Sequence, residues 1–147
     1  MEFCLKHVRL KVGPMATIAI LERNKRRRTV FERLAVSRLA AYDVQIFSSP
    51  RDIQAWLRTM PKEIVLLSLD STLDRVTKLP DGLCGADDTM LFLLDHPISG
   101  ALISFHNTNP KSQVGDILHR FIDVGFRGGV VCRLEHNWAA STLASLE

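Results

Sequence analysis

The sequence predicts a three-layer α/β domain, a parallel sheet with helices on both faces, and three observations predict it. Five short apolar runs alternate in strict order with segments of helical periodicity. The third run, Ile64 to Leu69, is apolar at nearly every position, as expected of a central parallel strand covered on both sides. Two of the runs stop abruptly on polar chemistry: Ile64–Leu69 at Asp70, and Ala101–Phe105 at His106 and Asn107. Reactive groups placed this way belong at the carboxyl ends of parallel strands, where loops converge and helix N-termini turn their amides toward a ligand.

Taken in order, Ala16 to Leu21 is a short run rich in β-branched residues, followed by the polar Glu22, Arg23 and Asn24. A helical pattern follows in Val30, Phe31, Leu34, Ala35, Arg38 and Leu39. Val44 to Phe47 is the second strand; Ser49, Pro50 and Asp52 then read as N-cap, first helical position and first-turn acid. The stripe Ile53, Trp56, Leu57, Met60 has the i, i+3, i+4, i+7 spacing of a helix packed on a sheet, and Pro61 closes it. After the third strand, Ser71 to Gly85 is mostly polar and punctuated by Pro80, Asp81, Gly82 and Gly85, which predicts a surface loop, with a short helix over roughly Asp87 to Leu94. Ala101 to Phe105 is the fourth strand. Asn109 and Pro110 read as N-cap and first position of the helix carrying Val114, Ile117, Leu118, Phe121 and Ile122, with Gly125 as its left-handed cap. Gly129 to Cys132 is the fifth strand, and Trp138, Ala139, Thr142, Leu143 and Leu146 form a last amphipathic helix. Right-handed crossovers then give a flavodoxin-like, doubly wound five-stranded parallel sheet of order 2-1-3-4-5. Residues 16–147 make the domain, and residues 1–15 are an extension, either an edge strand or a tail.

The length of 147 residues suits one domain with a real core. With 46% hydrophobic and 24% charged residues the composition is that of a soluble globular chain, and no stretch of about 18 apolar residues could span a bilayer. Met1 to Val12 mixes Lys6, His7, Arg9 and Lys11 with apolar residues and lacks the apolar block of a signal peptide. Cys4, Cys84 and Cys132 are isolated thiols without a CxxC pair, which points to a reduced, cytoplasmic setting and away from a structural zinc site. The net charge of +3 and the pI near 9.0 owe much to one run, Lys25, Arg26, Arg27 and Arg28. Such a run is either a solvated helix face or an attractor of phosphate and nucleic acid, and its position decides which.

With strand order 2-1-3-4-5 the crevice lies between the first and third strands, so Glu22, Arg23 and Asn24 should face Asp70 and Ser71, with His106 to Asn109 alongside. Glu22 and Asp70 could hold Mg²⁺ through oxygen ligands. Equally, Arg23 could neutralise Asp70 in an ion pair, because a guanidinium stays charged at any physiological pH.

Three stretches resemble the receiver superfamily, and within it the cyclic-phosphate processing receiver domains: Ile20 to Arg27, Ser68 to Leu73, and His106 to Pro110. The last is the most specific, since phosphorelay receivers usually end the fourth strand with a Thr or Ser hydroxyl. The cyclic-phosphate group looks like His, a small polar residue, any residue, then Asn-Pro, which His106, Asn109 and Pro110 match. The chain departs from the group at Arg23, where a second acid is common, and at Ser71 and Thr72, where His and Asp are usual. The receiver lysine near the end of the fifth strand is also absent, Cys132 standing at about that place.

The resemblance implies binding, and hydrolysis by water, of a cyclic phosphate on a nucleotide or an RNA 2',3'-cyclic end. In that chemistry Arg23, Arg27 and Asn109 bind the phosphate, Asp70 orients the water or a metal, and His106 acts as general acid or base, as an imidazole can near neutral pH. The alternative is a degenerate receiver serving as a signalling or protein-interaction module, with or without phosphorylation of Asp70. DNA is a weaker partner, because the run from Lys25 to Arg28 has no aromatic interleaving and no helix-turn-helix. A dinucleotide-binding fold is weaker still, since Glu22 to Arg28 contains no glycine.

Overall fold

A computed structural model of the chain describes residues 15–61, 63–70, 88–106, 114–131, 134 and 137–146. Its strands are β1 (Thr17–Leu21), β2 (Asp43–Phe47), β3 (Ile64–Leu69), β4 (Leu102–Phe105) and β5 (Gly128–Val131). Its helices are α1 (Lys25–Ser37), α2 (Pro50–Arg58), α3 (Asp88–Asp95), α4 (Val114–Asp123) and α5 (Trp138–Leu146). All strand pairs are parallel, and the order is β2-β1-β3-β4-β5. The fold is therefore the flavodoxin-like α/β sandwich that the alternation of runs predicts.

The period-two alternation of each strand divides the core in two. Ala19, Leu21, Leu67, Leu69, Ile103 and Phe105 point to one face and pack under Ile53 and Leu57 of α2, Met90 and Leu93 of α3, and Phe121 of α4. Ile18, Ile20, Leu66 and Leu102 point to the other, beneath Phe31 of α1 and Trp138 of α5. Two helices on one face and three on the other complete the three layers. Both faces are apolar because crossovers leave no strand face to water, and burying each large aliphatic side chain contributes about 1.5–3 kcal/mol.

Several boundaries follow from local chemistry. Ser49 Oγ accepts the Asp52 amide at 3.2 Å and caps α2, with Pro50 in its first turn. At its far end α2 stops at Arg58, earlier than the apolar stripe predicts. Met60 adopts φ 56 and is 82% exposed, so it is a left-handed exit residue and not a core position. Met60 leaves the helix directly before Pro61, which disfavours a helical conformation in the residue ahead of it. Gly125 follows α4 with φ 120, a conformation that favours glycine. The extension over residues 1–14, the loop from Ser71 to Gly85, Asn109, Pro110 and Cys132 lie outside the described residues.

Candidate functional site

The alternation that builds the core also builds the site. On the α1/α5 face, β1 carries Ile18, Ile20 and then Glu22; β3 carries Leu66, Ser68 and Asp70; β4 carries Leu102, Ser104 and His106. The register pairs Ile20 with Ser68 and Ser68 with Ser104, so the next step along each strand sets Glu22, Asp70 and His106 in one row at the carboxyl edge. All three side chains are buried, at 0%, 3% and 0% exposure. A buried ionisable group costs several kcal/mol unless it is paired and hydrogen-bonded. The question at this edge is therefore what partners each one.

Glu22 is the most heavily engaged. Its Oε1 accepts from His106 Nε2 at 2.9 Å and from Arg27 Nε at 2.8 Å, and its Oε2 accepts the Asn24 amide at 2.9 Å. Burial pushes this carboxyl up, but the donors of His106, Arg27 and Asn24 outweigh it and hold Glu22 down from its usual 4.5 to about 2. Asp70 accepts the Arg23 amide on Oδ2, and Arg23 Nη1 lies 3.0 Å from Oδ1. That second contact is an ion pair without hydrogen-bond alignment, so Oδ1 has no aligned donor among the described residues. Burial raises Asp70, and the nearby Glu22 charge adds to it, against the lowering pull of the Arg23 amide and guanidinium.

His106 sits between two acceptor-capable neighbours. An ionised Glu22 accepts only, so His106 Nε2 carries a proton and donates it. On the other side Nδ1 is 2.7 Å from Ser68 Oγ. The ring lies edge-on to Phe31 with centroids 4.7 Å apart, and Trp138, whose Nε1 donates to Ser104 Oγ at 3.1 Å, closes the far wall. The His106 amide donates to the Leu69 carbonyl and its carbonyl accepts from the Leu134 amide, so the residue is tied at backbone and ring alike.

The basic run has a divided role that the sequence left open. Asn24 caps α1 by accepting the Arg27 amide at 3.1 Å, which turns the helix so that Arg27 reaches back to Glu22. Arg28 Nη1 donates to the carbonyls of Glu22 and Arg23 at 3.0 and 2.7 Å and fastens the end of β1. Lys25 and Arg26 are exposed. The run is thus half scaffold and half solvated face. The side chains of Arg23 and Arg27 keep 41% and 36% exposure above the carboxylates they hold.

Of the residues predicted for the site, Glu22, Arg23, Arg27, Asp70 and His106 come together, while Asn109 lies outside the described residues. Ser68 is the member that pattern reading passes over. A lone serine within a buried strand was the available signal, because a buried hydroxyl needs a partner.

Among the described residues this arrangement does not fit a divalent cation. Both Glu22 oxygens already accept internal donors, and Asp70 accepts the Arg23 amide on Oδ2 while the Arg23 guanidinium stands against Oδ1. Mg²⁺ would need those oxygens directed at the metal in an octahedron. Among the described residues no group of three or more His, Cys, Asp or Glu side chains is arranged to hold a metal. None of the described helices is long and apolar enough to cross a membrane. Comparison of the chain with protein-family models, curated proteins and solved structures finds no match.

Proposed function

We propose that this chain is a receiver-like domain that binds a phosphate-bearing ligand at the carboxyl mouth of its sheet and holds it without turnover. The class of ligand is the one its three motifs imply, a cyclic phosphate on a nucleotide or an RNA end. One observation carries the reading: Arg23 and Arg27 are each anchored on a buried carboxylate while their side chains remain partly exposed at the same mouth. Two guanidinium groups held in fixed poses suit phosphate oxygens, because the fork geometry is preorganised and little side-chain entropy is lost on binding.

Hydrolysis has less support than binding. A general acid or base must exchange its proton with the ligand, whereas His106 is fully buried with both ring nitrogens within hydrogen-bonding distance of internal partners. The same Arg23–Asp70 ion pair favours a second reading, a protein-binding signalling module in which Asp70 is kept out of phosphotransfer. Calorimetric titration with a 2',3'-cyclic nucleotide is expected to give saturable binding, weakened about tenfold by Arg23→Ala, as the loss of one charge-assisted contact predicts. Chromatography of the same mixture is expected to show no ring-opened product. Exposure to a small phosphodonor is expected to leave the protein mass unchanged. Turnover that depends on His106 would replace binding by hydrolysis, a phosphoryl adduct on Asp70 would establish a phosphorelay receiver, and absence of binding would leave the protein-partner reading.

A further inference from the structure

We propose that Ser68 is a positioning residue of this site: through His106 and Glu22 it sets the pose of the Arg27 guanidinium. The inference rests on the phosphate-binding reading only for its functional consequence; the coupling itself is a property of the ligand-free protein.

The connection is continuous and buried. Ser68 Oγ lies 2.7 Å from His106 Nδ1, His106 Nε2 lies 2.9 Å from Glu22 Oε1, and Arg27 Nε donates to that same oxygen at 2.8 Å. Ser68, His106 and Glu22 are each 0% exposed, so water does not substitute for a missing partner. Proton accounting then fixes the directions. Glu22 Oε1 accepts twice, which places a proton on His106 Nε2 and, in the neutral ring, a lone pair on Nδ1. The Ser68 hydroxyl is buried and must donate, and Nδ1 is the acceptor that the geometry offers. In this scheme the Ser68 hydroxyl donates to Nδ1, so Ser68 and Glu22 together hold the Nε2-protonated imidazole in this one ring orientation. A half-turn of the ring would put carbon against both Ser68 and Glu22 and forfeit two hydrogen bonds.

The consequence reaches Arg27 because a single carboxylate oxygen serves both donors. When the ring is held, Oε1 is held, and the guanidinium that donates to it is presented at one angle to the mouth. Ser68 touches no ligand in this scheme. It lies one strand step inside the row of Glu22, Asp70 and His106, which is why its contribution passes through His106.

Nitrogen NMR of the ligand-free protein tests the coupling. The wild type is expected to show a neutral, Nε2-protonated His106 and a slowly exchanging Arg27 Nε–H. Ser68→Ala is expected to make the Arg27 Nε–H exchange fast, and Ser68→Thr, which keeps the hydroxyl, to restore its protection. Binding of the 2',3'-cyclic nucleotide is expected to weaken about fivefold in Ser68→Ala, the worth of one hydrogen bond within such a network, and to recover in Ser68→Thr. An Nδ1-protonated His106 in the wild type would overturn the proposal whether or not any variant folds. So would an unmoved Arg27 Nε–H in a folded Ser68→Ala protein. Protection lost and restored as expected, in a protein that binds no cyclic nucleotide, would uphold the relay and reject the phosphate-binding reading alone.

Discussion

Arg23 illustrates how much one side chain can decide at this edge. Its amide and its guanidinium both address Asp70, so a single residue supplies a neutral hydrogen-bond donor and a cation to the same carboxylate. The pair is half at the surface: Arg23 is 41% exposed and Asp70 is 3% exposed. Solvent screening keeps its worth to stability small, on the order of 1 kcal/mol or less. Its consequence for chemistry is larger, because it sets a permanent guanidinium charge beside the carboxylate. Arg23→Ala is therefore expected to lower the melting temperature only slightly while making it rise on addition of Mg²⁺, a response absent from the wild type. Differential scanning fluorimetry with and without the ion checks this, and equal Mg²⁺ responses in both proteins would show that Arg23 does not govern cation access. Glu22 is the opposite case. With no exposure and three donors, it is legible in the sequence as the acid closing the first strand, but its partners are not, since His106 stands 84 residues away.

At the scale of the element, the strands act as rulers. A step of two residues carries each of β1, β3 and β4 from an apolar core position to a polar one, so a one-residue slip would turn the whole site over to the α2–α4 face. The close approach of α4 to β5 shows how tightly that second face is set. A Cβ at Gly129 would collide with the Leu118 side chain and crowd Ile103. Gly129→Ala is accordingly expected to destabilise the fold by about 1–3 kcal/mol through overpacking, measured as a reduced midpoint in urea with an unchanged slope. Full stability in that variant would mean that the Leu118 side chain swings aside without loss of packing. The helix start was readable where a side chain makes it, as at Ser49, whereas the cap at Asn24 emerged only from the structure. The end of α2 was not readable, because Met60 leaves by its backbone conformation and its apolar side chain imitates a core residue.

For the whole molecule, the buried row links the fold to pH. Glu22 is held at about 2 against a usual 4.5, so the stability it contributes is fully present above pH 4.5 and is lost as pH falls from there toward 2. Asp70 is shifted the other way: its ionised form opposes folding, and that opposition is relieved as acid protonates it on the way down to its usual 3.8. The two effects partly cancel at first, and Glu22 governs the steeper loss below. The stability advantage of the wild type over Glu22→Gln is expected to shrink steadily as pH falls from 4.5 to 2. Denaturant titrations across that range measure it, and a difference independent of pH would disprove the engaged-carboxylate account. By itself the sequence determined the layered parallel fold, the order of elements and the edge at which Glu22, Arg23, Asp70 and His106 meet, because hydrophobic periodicity and strand polarity are local properties. Only the tertiary structure decided that these groups satisfy one another, that half of the basic run serves as scaffold, and that Ser68 belongs to the network. Pairing of buried charges depends on distances between strands and on the turn of a capped helix, and neither is written in the spacing of residues along a chain.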